Sequence, residues 1–208
     1  MNAPLVQQSD RQTFTGGFDE AVFEAQTAFR SIMKAMAEPG LIVPLKTSVK
    51  APTPLNSMAA AALCTLCDAD TTLYLDVSAT DANKVSSWIS FQTDVAMSAS
   101  PSQVTFALIT SAQNLLTLDH FAQGTDEYPE RSTTVILQVE NLIDGPSLTL
   151  TGPGIKDDRE FRPVGLPDHF MASWVRNHAQ FPRGVDIIFA TENELACLPR
   201  STKITGDT

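Results

Sequence analysis

Four groups of residues are of the types and spacings that do chemistry. Cys64-Thr65-Leu66-Cys67 is a C-x-x-C pair, which suits a redox couple or half of a zinc site. A redox pair opens a helix, where the dipole lowers the thiol pKa, whereas this one closes an alanine-rich helical stretch. A zinc site needs two more ligands, and only Cys197 and three scattered histidines remain. Packing of small apolar residues is therefore the better reading. His120, His169 and His178 share no metal-ligand spacing, and no nucleophile elbow, P-loop or dinucleotide fingerprint is present. No catalytic residue and no metal ligand is assigned.

Thr151-Gly152-Pro153-Gly154-Ile155-Lys156 is a glycine turn that could aim backbone N–H groups at an anion. Pro153 has no N–H, however, and Asp157-Asp158 follow, so a tight strand-to-strand turn is the stronger expectation. Six of the eight arginines lie from Arg131 onward: Arg131, Arg159, Arg162, Arg176, Arg183 and Arg200. Guanidinium forks suit phosphate and carboxylate, and equally subunit interfaces. Arg131 has Glu127 and Glu130 beside it, and Arg159 has Asp158 and Glu160. Arg183 and Arg200 sit on Pro-flanked turns without an adjacent acid. The candidate anion- or partner-binding residues are thus Arg131, Gly152, Gly154, Arg183 and Arg200.

The elements that must position these residues can be read from periodicity. Residues 1–17 are polar and aperiodic and are expected to form a loose arm, followed by a single α/β domain over 18–204. A helix is predicted from Asp19 as N-cap, with Phe18, Val22, Ala25, Phe29, Ile32 and Met36 as its buried stripe and Glu38-Pro39-Gly40 as its stop. Leu41 to Leu45 reads as a strand in which Pro44 points to a sheet edge. Asn56 or Ser57 can cap a helix through Met58–Leu63, and Asp81 one through Val85, Trp88 and Ile89. Strands are predicted at 71–77, 103–110, 133–140, from Pro146 through Leu150, and at 185–190. A helical turn is expected near Leu115–Phe121, and a helix through Met171, Trp174, Val175 and His178. Strands and helices alternate early, and strands follow one another at 133–151. That predicts a mixed sheet with helices on both faces, a three-layer α/β/α fold.

Composition bounds the function. The chain has 208 residues, 43% of them hydrophobic, with 14 Lys and Arg against 24 Asp and Glu and a net charge of −10. So acidic a chain is ill suited to nucleic acid or anionic lipid, both of which are held by lysine and arginine. Six basic and eleven acidic residues precede Thr125, and eight and thirteen follow, so neither end forms a charged tail. The most apolar run, Met58–Leu66, is far shorter than a membrane span of about 20 residues. No secretory leader is evident, and an odd cysteine count argues against a disulfide framework. These features suggest a cytoplasmic protein. Trp88, Phe91, Met97 and Phe106 exceed the apolar needs of their own elements, which predicts that part of this surface is shared with a second copy.

Several segments taken together resemble one family. They are Phe29-Arg30, Met33 and Met36–Gly40; Gly124-Thr125 with Pro129–Ser132; L-T-G-P-G-I at Leu150–Ile155; F-P-R-G-V-D at Phe181–Asp186; and L-P-R-S-T at Leu198–Thr202. In this order they are similar to the PhnH family, a component of the bacterial carbon–phosphorus lyase system of phosphonate metabolism. The resemblance implies a non-catalytic, cofactor-free subunit that forms a homodimer alone and joins the G, I and J subunits of that system. With its partners it would couple an alkylphosphonate to ATP, displacing adenine to give a ribose 1-phosphonate 5-triphosphate. It also implies a degenerate form of the pyridoxal-phosphate-dependent transferase fold. Of six lysines only Lys156, after the glycine turn, could pose as a Schiff-base lysine, and two aspartates follow it. The other reading is a stand-alone enzyme or sensor for a phosphonate or phosphorylated ligand. The family loops 124–132, 152–154 and 181–184 are expected to converge and to expose Arg131 and Arg183 on one surface.

Overall fold

A computed structural model describes residues 15–77 and 80–205. Most of the expected N-terminal arm, residues 1–14, lies outside the described residues. The end of that arm is tied down: Trp88 Nε1 donates to the Thr15 carbonyl at 2.8 Å, and Lys50 N–H to that of Gly16 at 2.8 Å.

The chain forms α1 (Ala21–Ala37), β1 (Val43–Pro44), α2 (Ser57–Leu66), β2 (Thr72–Asp76), α3 (Ala82–Thr93), β3 (Ala96–Met97), β4 (Phe106–Ile109), β5 (Thr134–Gln138), β6 (Leu148–Thr151), β7 (Arg159–Phe161), α4 (Phe170–Ala179), β8 (Asp186–Ala190), β9 (Glu194–Leu198) and β10 (Lys203–Thr205). The main sheet has the order β1-β9-β8-β5-β4-β2-β3, and a second, antiparallel sheet has the order β10-β6-β7. The strands β8, β5, β4, β2 and β3 are mutually parallel, while at one side β9 is added antiparallel to β8 and β1 antiparallel to β9. Buried on both faces, the central strands read as continuous apolar runs such as Val135-Ile136-Leu137 and Ile187-Ile188-Phe189, all at most 1% exposed.

The fold is α/β with a mixed sheet, and the layering differs in detail from the expectation. One face carries all three of α1, α2 and α3, packed on Leu73, Leu108, Ile136 and Ile188. The other carries α4, the small sheet and the 3-10 turns at 112–114 and 118–120, packed on Ala107, Ile109, Leu137 and Phe189. The strand at Leu148 leaves the main sheet for the small one. The antiparallel component comes instead from β9, a strand the sequence left unassigned. Pro44 does lie on an edge strand, where its missing N–H costs no ladder bond.

Two expectations are corrected by packing. The buried residues of α1 are Ala28, Ile32 and Ala35, while Val22 and Phe29 of the expected stripe are 67% and 47% exposed. The neighbour of α1 is α2, whose Met58–Leu63 are all buried, and small side chains let the two helices approach closely. Trp88 is fully buried within the one chain, and Phe106 is packed against the core, so neither is free for a second copy. Phe91 and Met97 remain 57% and 39% exposed.

Candidate functional site

In open parallel sheets ligands collect beyond the carboxyl ends of the strands. Here that end holds a crevice of about 340 Å³ at the ends of β4, β5 and β8, lined by Asn56, Thr110, Gln113, Gln138, Glu140 and Glu192 among others. Its floor is a closed polar network. Asn56 caps α2 by accepting from Ala59 N–H at 2.8 Å, and its Nδ2 donates to the Ala190 carbonyl at 2.9 Å. Gln138 Oε1 accepts from Asn56 N–H at 2.7 Å, and its Nε2 donates to the carbonyls of Pro54 and Thr110. Glu192 accepts from Ser57 N–H and Oγ, so the N-terminus of α2 already has a carboxylate on it. Among the described residues no arginine or lysine lines this crevice. A phosphate-bearing ligand would meet two carboxylates there.

The family loops lie at the opposite end. Loop 124–132 leads into β5 and loop 181–184 into β8, so both sit at the amino ends of the strands. They do converge: Gly184 N–H donates to the Gln123 carbonyl at 2.9 Å, and Arg183 Nε lies 3.1 Å from Asp126 Oδ1. The 198–202 turn completes the cluster. Arg200 grips Asp186 as a fork, Nε to Oδ1 at 3.0 Å and Nη2 to Oδ2, while its Nη1 donates to the Pro129 carbonyl at 2.7 Å. Arg200 N–H also donates to Asp186 Oδ1 at 2.7 Å. Both side chains are largely buried. The acid missing beside Arg200 in sequence is supplied by the last residue of the F-P-R-G-V-D segment, 14 positions earlier. Asn177 Oδ1 and Nδ2 clasp both backbone groups of Val185, holding that segment against α4.

Gly152 and Gly154 belong to an adjoining node. Gly154 has φ +84°, and a Cβ there would collide with the Ala37 carbonyl oxygen and come within 3.0 Å of Pro39. A side chain on Gly152 would meet the Ser201 carbonyl at 3.1 Å. Arg159 donates from Nη1 to the carbonyls of Glu38 and Pro39, each at 2.9 Å. The end of α1, the glycine turn and the 198–202 turn are thus locked together. Loop 152–154 thus meets the 198–202 turn and is linked through it to the other two loops.

Most of the C-terminal arginines face acids of the chain itself. Arg159, Arg162, Arg176, Arg183 and Arg200 each face a carboxylate within 4.0 Å. Arg131 lies instead over the Tyr128 ring, 4.1 Å from its centroid, beside a 410 Å³ surface hollow that it lines with Glu130 and Ser132. Among the candidates, Arg131, Gly152 and Gly154 are exposed and Arg183 is partly so, while Arg200 is largely buried; the two glycines sit in a turn whose backbone packs against residues 37–39 and 201–203. Lys156 is exposed and lies apart from the crevice. Burial pushes the Cys64 and Cys67 thiols up to about 12, so neither is a nucleophile or a ready ligand at neutral pH. Among the described residues no group of three His, Cys, Asp or Glu is placed to hold a metal ion, and no helix is long and apolar enough to cross a membrane. The polar knot at Asn56 and Gln138 was not anticipated as a unit. Only the capping role of Asn56 left a sequence signal.

Comparison with known proteins matches this arrangement over almost its whole length. The profile of a family described as bacterial phosphonate metabolism protein (PhnH) matches residues 16–205. A Rhizobium meliloti protein named alpha-D-ribose 1-methylphosphonate 5-triphosphate synthase subunit PhnH is 40% identical over 193 residues, covering 93% of this chain and 96% of its own. A Stutzerimonas stutzeri protein, HtxG, described as a candidate C-P lyase subunit, is 31% identical over 179 residues, covering 86% and 85%. The Glu-Pro-Gly, Thr-Gly-Pro-Gly, Phe-Pro-Arg-Gly and Leu-Pro-Arg turns that suggested the resemblance are the turns that lock this fold together, and the chain belongs to the PhnH family of bacterial phosphonate metabolism proteins.

Proposed function

We propose that this chain is the PhnH component of a complex that joins an alkylphosphonate to ATP with displacement of adenine, and that it contributes structure and contacts rather than the reacting groups. The observation that carries this is the 40% identity to a synthase subunit over nearly the full length of both chains. The electrostatics support the non-catalytic role. ATP and phosphonate are polyanions, yet the crevice at the strand ends is lined by Glu140 and Glu192, and five of the six C-terminal arginines are paired with carboxylates. The test is turnover of ATP and methylphosphonate. The chain alone should release no adenine, while the complete complex should release it only when this chain is included. Adenine released by the chain alone would overturn the reading.

The finer expectations belong to the same proposal: the G, I and J subunits as partners, a cytoplasmic location, and descent from pyridoxal-phosphate-dependent transferases without the cofactor. A homodimer of the isolated chain would use the exposed Phe91 and Met97, and sedimentation as a 22.5 kDa monomer at micromolar concentration would count against it. Arg183 is the informative residue of the candidate site. Its partner Asp126 is 86% exposed, so Arg183→Glu should leave the melting temperature unchanged. Failure of the variant to copurify would make this surface an interface. Normal assembly with lost adenine release would place Arg183 against substrate.

A further inference from the structure

The surface hollow of about 410 Å³ beside Arg131 lies at the amino ends of three neighbouring strands. Thr72 begins β2, Val104-Thr105 lead into β4, and Arg131-Ser132 lead into β5, and all of them line it. Its volume falls in the range of small-molecule sites, roughly 300–1,000 Å³. The wall is held in place by its own hydroxyls. Thr105 N–H donates to Thr72 Oγ1 at 3.0 Å, and Thr133 Oγ1 donates to the Val104 carbonyl at 2.7 Å while accepting from Ala122 N–H at 3.1 Å. Ser132 breaks this pattern. It is 5% exposed, and its Oγ is buried with no hydrogen-bond partner. A buried hydroxyl in that state has lost its water and gained nothing in return. A ligand seated in the hollow supplies a reason to keep it.

Arg131 decides the charge of that ligand. It is the C-terminal arginine that makes no ion pair among the described residues. Its guanidinium is held instead over the Tyr128 ring, a contact that uses the face of the cation and none of its five N–H donors. The turn beneath it is fixed. Arg131 N–H donates to the Tyr128 carbonyl at 3.2 Å, Tyr128 N–H to Thr125 Oγ1 at 2.9 Å, and the Pro129 carbonyl takes Arg200 Nη1 at 2.7 Å. A positioned guanidinium with unused donors suits an oxyanion. Glu130, also on the wall, narrows the class. A carboxylate repels a bare dianion but accepts from hydroxyl groups. We propose that this hollow binds a small oxyanion carrying hydroxyls of its own, of the sugar-phosphate class. Arg131 and the Ser132 hydroxyl donate to the anionic group, and Glu130 accepts from the ligand's hydroxyls. The site goes beyond the subunit reading above and needs no partner subunit.

The experiment is isothermal titration calorimetry of the full chain with ribose 5-phosphate, inorganic phosphate and ribose. Ribose 5-phosphate should bind once per chain in the millimolar range or tighter, and the two fragments about tenfold more weakly, because each satisfies half of the wall. Arg131→Ala should weaken ribose 5-phosphate about tenfold or more, and Ser132→Ala severalfold. Glu130→Gln should narrow the gap between ribose 5-phosphate and inorganic phosphate. Arg131 and Glu130 are exposed, so their variants should melt like wild type. Ser132→Ala should melt no lower than wild type, since its hydroxyl has no partner to lose. No heat from millimolar ribose 5-phosphate would overturn the proposal. So would binding that survives Arg131→Ala, which would put the ligand elsewhere, or equal affinity for inorganic phosphate, which would make this a bare-anion site. A lowered melting temperature of Ser132→Ala would show that its hydroxyl is already satisfied within the fold, again overturning it. An Arg131→Ala variant that binds as wild type does but no longer copurifies with the G, I and J subunits would give the arginine to an interface instead. Each of these outcomes leaves the subunit reading to its own test of adenine release.

Discussion

The two ends of the main sheet hold opposite kinds of order. At the carboxyl ends there is open volume, but its wall is amide and carboxylate, knit by Asn56 and Gln138 and closed to anions by Glu140 and Glu192. At the amino ends and the adjoining turns, arginines bind a carboxylate and backbone carbonyls, and glycines pack against neighbouring backbone. The crevice at the carboxyl ends lacks the charge for a phosphonate, and at the amino ends Arg200 and Arg183 face Asp186 and Asp126 while Arg131 lies over Tyr128 beside an open hollow. Density of sequence motif therefore tracks architecture here: Gly154, Arg200 and Asp186 hold three turns together.

That contrast can be broken by substitution, beginning with the largest effect. Gly154→Ala forces a Cβ onto the Ala37 carbonyl at φ +84°. It should cost about 4 kcal/mol or more, at the exceptional end for a single change, and be read as loss of a cooperative denaturant transition or of soluble protein. A fold as stable as wild type would mean the node is not a lock. Arg200→Ala leaves the largely buried Asp186 carboxylate unpaired and should cost about 3 kcal/mol in chemical denaturation. Unchanged stability combined with lost complex activity would return Arg200 to the list of functional residues.

At the other end, Asn56→Ala removes a helix cap and a bond to Ala190 and should cost about 2 kcal/mol. A larger loss than at Arg200 would reverse the ranking of the two ends. Cys67→Ser, at the end of α2 that leads toward β2, buries a hydroxyl and should cost about 1–2 kcal/mol, with complex activity kept once folded. Stoichiometric zinc in the purified protein would refute the packing account.

The smallest effect separates both ends from the α1 region. Hydrogen bonds from Ser48 N–H and Oγ hold the Glu24 carboxyl below its ordinary value of 4.5. A carboxylate depressed in the fold stabilises above its unfolded pKa, and that contribution fades as pH falls through the lower folded value. Stability should therefore decline below about pH 4.5, and Glu24→Gln should flatten that part of the profile; equal slopes for the two proteins would remove Glu24 from the account. The group is solvent-accessible, so the difference is small.

Much of the fold was legible because it is local. The continuous apolar runs at 134–138 and 186–190 can only be strands buried on both faces, Pro44 belongs on an edge, and Asn56 before six apolar residues is a cap. The C-x-x-C pair at the end of its helix already favoured packing. The five candidate residues were found as types. Which of them carry free charge was not legible, because the partner of Arg200 lies 14 residues away and that of Arg183 lies 57 away. Strand β9 was missed because Ala196-Cys197-Leu198 is short and runs straight into Pro199.

Periodicity alone determined that α1 has an apolar stripe, and the order of the turn motifs determined the family. Only the tertiary structure decided which side of that stripe is buried. A helix reports the direction of its own apolar moment, but burial depends on where the alanine face of α2 sits, and that is set by contacts far along the chain. The same reason governs the glycines and arginines. Sequence names the residue, while the surface that meets it decides whether it is a lock or a site.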